Sequence, residues 1–444
     1  MLAPAQDRPV TVALIGAGQR GGIYADYISL NPSTCRLVAL AEPRPTRRST
    51  LAKRHSIPSD LVFKDWKELA SRGKVADAVI IAIMDRGHAE AVKVFAEQGY
   101  DILCEKPIAT SIEECVGIVE AVKKHGVIFG CGHVLRYSPY NTSIRQTIST
   151  GILGKIINIQ HLEPVGRQHF AHSYVRGNWR NEKTASFSLM AKSCHDIDIL
   201  NFYRSDQIEP RSLSSFGNLN HFKPSEKPNE AGDATHCVGC AYEPECPYSA
   251  KKIYLEPVYD GPKRDSGDDI WATHILDEPP DIENVAAAIQ PDGIAGGRWG
   301  KCVYSGDNDV VDQQVVNIQY KDGTTASFTM VAFTKQVCNR VTRIHGSHGE
   351  IVGDMSTYTV TDFRTGESTH HEPANEGGGH GGGDMGLMRS FIRACSEQDQ
   401  TALGVEPEDI LRSHLMVFAA EESRLKDQNV LYDDFQKRCL SGSV

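Results

Sequence analysis

The chain has 444 residues, 40% hydrophobic and 23% charged, and its 47 basic against 57 acidic side chains leave a formal net charge of −10. That length is enough for two or three domains of about 150 residues, in an ordinary globular balance. The acidic excess argues against a general nucleic-acid binder and against binding to an anionic membrane surface, and it favours solubility.

The first residues, Met1 to Arg8, lack the basic-then-apolar form of a signal peptide. No apolar run is long enough to span a bilayer. Most of the 12 cysteines stand singly in apolar segments, as Cys104, Cys131 and Cys338 do, and read as buried thiols of a reducing compartment. The expectation is a cytoplasmic protein.

In chain order, the apolar run Val10 to Ile15 ends in a glycine turn with the spacing G-x-G-x-x-G at Gly16, Gly18 and Gly21, and opens into residues of helical spacing. Gly16 permits the tight turn, Gly18 lets backbone approach a pyrophosphate, and Gly21 lets the helix pack closely on the strand. The pyrophosphate would rest on the helix N-terminus beside Gln19 and Arg20. A second strand, Leu37 to Ala41, ends at Glu42, about 20 residues beyond the last glycine, where a carboxylate should hold a ribose hydroxyl pair. Arg44 follows. Strands at 78–83, 100–104 and 127–131 alternate with helices at 87–98 and 111–125, the latter capped by Ser111 and stopped by Gly126. This alternation predicts a parallel, doubly wound Rossmann sheet over residues 1–135.

From Arg136 the pattern changes. Segments at 155–163, 313–320, 324–334, 340–345, 349–353 and 358–362 favour strands, with turns such as Lys321-Asp322-Gly323 between them. They predict an α+β domain over 136–444 with a large, mostly antiparallel open sheet. An irregular, cysteine-containing insertion occupies about 216–302, and a helix is expected from Pro407 to Leu425. Within the insertion, Cys237, Cys240 and Cys246 form C-x-x-C plus a third cysteine. With Cys302, or with His236, they have the makings of a tetrahedral structural zinc site; coincidental free thiols are the alternative. The glycine tract 377–383 reads either as a linker or as a loop bringing His380 and Asp384 to a ligand, with Asp384 also suited to cap the following helix.

Cys104-Glu105-Lys106-Pro107 follows a strand that should end beside a nicotinamide. With the glycine turn and Cys194-His195-Asp196-Ile197-Asp198, it resembles the Gfo/Idh/MocA oxidoreductases over nearly the whole chain. The resemblance implies hydride transfer between NAD(H) or NADP(H) and a hydroxyl of a sugar, glycoside or cyclic polyol. It also implies a cis Lys106-Pro107 bond and a homo-oligomer, dimer or tetramer, built on the open sheet. Met84, Glu105 and His88 would lie beside the cofactor. Lys106 and His195 would carry the catalysis, with His195 accepting the hydroxyl proton and Lys106 orienting the oxygen. The family's helix has the form Asp-x-Gly-x-His-x-x-Asp. His195 and Asp198 match it, but Ala191 and Ser193 stand where Asp and Gly are usual, and Lys192 becomes a further catalytic candidate. Arg136, Tyr137, Arg176, Trp179, Arg180, Asp198 and His380 are candidates for binding the substrate.

Two rival functions share these features. One is an NAD-dependent glycoside hydrolase working by oxidation, elimination, addition and reduction, which the missing Asp keeps open. The other is a non-catalytic sugar or dinucleotide sensor, which the retention of Lys106 and His195 disfavours. NAD is expected over NADP because Glu42 repels a 2′-phosphate, although Arg44, Arg47 and Arg48 leave NADP use open.

Overall fold

The computed structural model describes residues 8–204, 208–260, 271–277, 281–374, 377 and 379–442. Met1 to Asp7, read above for a leader, and Gly378 of the glycine tract lie outside the described residues. Six strands form the first sheet: β1 (Val10–Ile15), β2 (Cys35–Ala41), β3 (Val62–Phe63), β4 (Ala78–Ile81), β5 (Asp101–Cys104) and β6 (Phe129–Cys131). Their order is β3-β2-β1-β4-β5-β6, and every pairing is parallel. All residues of β4 and β5 are buried. A parallel sheet covered on both faces requires this, which is why these strands read as continuous apolar runs. The strand order reverses between β1 and β4, and the crevice outside their C-terminal ends is where such sheets bind ligands.

The predicted helix boundaries largely hold here. Helix Ile112–His125 begins at Ser111, whose Oγ accepts from Glu114 N at 3.2 Å, and stops at Gly126 in the left-handed region. The Lys106–Pro107 bond is cis.

The second sheet has nine strands: β7 (Ile156–Pro164), β8 (Pro210–Asn218), β9 (Gln313–Tyr320), β10 (Thr325–Val331), β11 (Val341–Gly346), β12 (Gly349–Gly353), β13 (Tyr358–Asp362), β14 (Ser368–His371) and β15 (Val430–Leu431). Their order is β14-β13-β12-β11-β7-β10-β9-β8-β15. All pairs are antiparallel except β7 with β10. β8, β14 and β15 lack a clear apolar alternation and were not legible from periodicity. Pairing with β9 makes a strand of the serine-rich β8, which extends into residues expected to be irregular. Helices Ser188–Tyr203 and Pro407–Lys426 cover one face of the sheet. The helix Gly383–Glu397 returns to pack on the first helix, Gln19–Leu30, so the far end of the chain closes onto the first sheet.

Candidate active site

A cleft of about 2500 Å³ runs from the glycine turn to the loops bordering the second sheet at 337–340, 355–357 and 372–374. At its first end Gly16 has φ +89°, and a Cβ there would lie 2.4 Å from the Ala82 carbonyl oxygen. A Cβ on Gly21 would lie 2.0 Å from Gly16 O, so Gly21 serves helix packing and does not line the cleft. Gly18 precedes the helix, whose first turn has no side-chain cap. Its free N–H groups and dipole suit an anion, and Gln19 and Arg20 line the cleft beside them. Glu42 also lines the cleft, and its carboxylate accepts from Ala17 N (2.6 Å) and Arg44 N (2.8 Å).

The arginines after Glu42 are spent on backbone carbonyls. Arg44 donates to Ile275 O, Arg47 to His274 O and Leu276 O, and Arg48 to Glu42 O and Pro43 O. Residues 271–277 of the insertion thus seat on this edge of the first sheet.

At the other end, Lys106 Nζ donates to Ala191 O at 2.6 Å. A helix carbonyl therefore holds the Lys106 amino group where a carboxylate is usual. One turn on, His195 is fully buried, and its Nε2 accepts from Arg340 Nη2 at 2.8 Å. That contact leaves the ring hydrogen on Nδ1, which has no partner among the described residues. Burial pushes the His195 pKa well down; Asp196 opposes this, and Arg340 and Lys106 reinforce it. The imidazole is therefore neutral.

Arg340 also pairs with Glu163 (2.6 Å) and Asp196 (2.9 Å), while Lys192 lies 3.1 Å from Glu163 and donates to Cys338 Sγ at 2.9 Å. Four residues of this assembly, Glu163, Asp196, Cys338 and Arg340, had no assigned role from sequence. Glu163, Asp196 and the pair Cys338 and Arg340 are far apart in the chain, and the signal available was a charged residue on an inward-facing strand, as Glu163 is on β7.

A second network joins the two ends. Arg20 donates to Glu105 (2.7 Å) and Asp384 (2.7 Å), and Tyr24 hydrogen-bonds Glu105. Burial raises the Glu105 pKa, but Arg20 and Tyr24 outweigh it and keep the carboxyl ionised. Asp384 does not cap its helix: the cap is Gly382, and Asp384 pairs with Arg20 and His380. The His380 ring stands 5.7 Å from that of His195. Trp179 donates to Asp85 (2.9 Å), and His172 stacks on Trp299, forming an aromatic side wall. Met84, Trp179 and Arg180 line the cleft as expected, with Arg180 tied to Asp307.

Several expected site residues lie elsewhere. His88 is buried outside the cleft, with both ring nitrogens on carbonyls, Pro107 O (2.8 Å) and Ile83 O (3.0 Å). Only an imidazolium can donate to both. Burial opposes that charge, but Cys104, Asp85 and the Pro107 carbonyl raise the pKa to about 10. His88 thus ties the segment after β4 to the Lys106–Pro107 turn. Arg136 and Asp198 form a buried pair (2.8 Å), and Tyr137 donates to Leu403 O, so none of the three reaches the cleft. Arg176 lies under the cysteine tract. Cys131, His133 and His414 bring ligand atoms within 4.8 Å of one another. However, His414 Nε2 accepts from Ile108 N and Nδ1 faces Ile410 O, leaving His414 no lone pair for a metal.

A dinucleotide turn opening into a cleft floored by a lysine and a neutral histidine defines an NAD-binding oxidoreductase. Residues 10–133 match the family profile described as "Oxidoreductase family, NAD-binding Rossmann fold". Over that segment the chain matches the Gfo/Idh/MocA oxidoreductases. It is 28% identical over 214 residues to 2,7-anhydro-N-acetylneuraminate hydratase of Mediterraneibacter gnavus, covering 48% of this chain and 54% of that protein. It is 30% identical over 218 residues to scyllo-inositol 2-dehydrogenase (NAD(+)) of Bacillus subtilis, covering 48% and 58%. The matches thus span about half the length of these relatives. In fold it is similar to levoglucosan dehydrogenase solved with NADH and levoglucosan: TM-score 0.69, 17% identity, covering 95% of this chain and 99% of that one. No helix among the described residues is long and apolar enough to cross a membrane.

Proposed function

We propose that this chain is an NAD-dependent dehydrogenase that oxidises a secondary hydroxyl of a sugar, glycoside or cyclic polyol. The observation that carries the reading is the meeting of Lys106, from the end of β5, with His195, from the second half of the chain, in one cleft with the glycine turn. NAD, when bound, supplies the hydride acceptor. The chain must then hold the substrate oxygen and remove its proton. His195 has Nε2 occupied by Arg340, so its Nδ1–H steadies the oxygen and proton acceptance falls to Lys106 in its free-amine form, which donates one N–H to Ala191 O and keeps a lone pair for the hydroxyl proton. This reverses the division expected from sequence. His172, Trp179 and Trp299 offer faces on which a sugar ring stacks, and His380 faces the same space. NAD is favoured over NADP because Glu42 borders the ribose position and Arg44, Arg47 and Arg48 are engaged on carbonyls.

The test is NADH formation against a panel of sugars, inositols and anhydrosugars. Turnover with NAD supports the reading, and cofactor binding without turnover on any substrate overturns it. A redox-neutral reaction is the second reading, favoured by the hydratase relative and by Ala191 in place of a carboxylate. Product release without net NADH distinguishes it.

We also propose that copies of the chain pair through the open face of the second sheet. Strand register brings Leu162, Thr329, Val315 and Phe216 side by side there, and Val341 sits opposite Leu162. Phe216 is 59% exposed. Such an apolar face needs covering, and a monomeric mass in solution would contradict the pairing.

A further inference from the structure

We propose that Cys237, Cys240, Cys246 and Cys302 bind one zinc ion that fastens the irregular tract behind the aromatic wall of the cleft. The described residues between 219 and 310 contain only short helices and one isolated bridge, His236 with Lys301. That bridge is flanked by Cys237 N to Gly300 O and Cys302 N to Thr235 O, both 2.8 Å, so Cys237 and Cys302 stand on adjoining extended segments. A tight turn, with Cys240 N bonded to Cys237 O and Gly239 at φ +83°, brings Cys240 back towards Cys237. A second turn, with Cys246 N on Tyr242 O, brings in Cys246. All four cysteines border one small cavity of about 20 Å³, room for a single ion. No three of their sulfurs lie within 4.8 Å of one another, so binding the ion requires the half-buried Cys240 and Cys302 side chains to turn towards the cavity.

An independent observation points to a negative group at this spot. Arg176 is 2% exposed and lies against the cluster, with Nη2 3.5 Å from Cys237 Sγ. Its other bonds go to the carbonyls of Lys301 and Tyr248, and among the described residues no carboxylate pairs with it. A buried cation without a counter-charge is costly. Four thiolates around a divalent ion carry a net charge of about −2, which supplies the missing counter-charge. Ala250 N also donates to Cys237 Sγ at 3.3 Å, the kind of N–H contact that stabilises a ligating thiolate. Tetrahedral thiolate coordination favours zinc, and closing this tract would supply folding free energy that its sparse regular structure lacks. The consequence reaches the cleft: Arg176 holds Lys301 O, two residues from Trp299, which stacks on His172.

The test uses the full chain, purified without chelator after expression with added zinc. Elemental analysis should find one zinc per chain. Native thiol titration should leave these four cysteines unreactive until an organomercurial displaces the metal. Cys240→Ser combined with Cys302→Ser should lose zinc at least tenfold while still quenching NADH fluorescence. Zinc below about one tenth per chain with these thiols freely reactive would overturn the proposal. So would iron in place of zinc, or a Cys237–Cys302 disulfide in a non-reducing peptide map. If the double variant does not fold, metal content and thiol protection of the unaltered chain decide the matter.

Discussion

The two walls of the cleft are built differently. The wall from the first sheet takes its working groups from three short contiguous stretches: the glycine turn, Glu42 with the arginines after it, and Glu105-Lys106. The opposite wall assembles Lys192 and His195 from the buried helix and Cys338 and Arg340 from the approach to β11, with Glu163 of β7 buried behind them. The first wall binds through backbone geometry, which glycines and strand ends set locally. The second works through a buried charge network in which each member's state depends on residues more than a hundred positions away. The lesson is that a motif can survive while the chemistry around it is rewired, as at Ala191, whose carbonyl does the holding that a carboxylate would otherwise do.

The largest expected effect lies where the walls meet. Lys106→Ala and His195→Ala should each lower kcat by about 10²–10⁴-fold while NADH binding survives, if both act on the substrate oxygen as proposed. Lys106→Arg should lose as much as Lys106→Ala, since it keeps the charge but cannot accept a proton; a near-normal kcat in Lys106→Arg would return the base role to His195.

Next comes the network. Arg340→Met leaves the buried Asp196 without its guanidinium partner and Glu163 with Lys192 alone, and should cost about 3–5 kcal/mol in denaturant unfolding. A loss under about 1 kcal/mol would mean that the second wall is far less interdependent than described.

A smaller effect tests the first wall by itself. Glu42→Ala removes the repulsion of a 2′-phosphate and should shift NADP against NAD preference by about tenfold, or ~1.4 kcal/mol. An unchanged ratio would place cofactor choice elsewhere.

The smallest effect is pH dependence. Burial lowers the pKa values of His172 and His414 to about 3, against ~6.5 unfolded. Both are neutral when folded, so unfolding takes up protons. Their stability contribution is whole above about pH 6.5 and falls on acidification, by up to ~1.4 kcal/mol per pH unit for each histidine. His88 has the opposite sign: its contribution is whole below about pH 6.5 and is lost as pH rises to about 10. Stability should therefore decline on both sides of about pH 6.5, which thermal melts across pH can check. A flat profile would contradict the buried protonation states.

The sequence by itself determined five of the six strands of the first sheet, most strands of the second, and the placing of Lys106 past a strand end and of His195 on a helix. Each depends on local rules: apolar runs for strands buried on both faces, alternation for half-buried ones, glycine where no Cβ fits, and a lysine two residues past a strand end. Only the tertiary structure decided what surrounds them. His88 was in a suggestive place but is saturated by two carbonyls, and Arg136 and Asp198 satisfy each other away from the cleft. Arg340, with no motif around it, governs which nitrogen of His195 carries the proton. The reason is that a buried charge takes its partners from whatever the fold packs against it, and those partners come from strands and helices that are neighbours only in space.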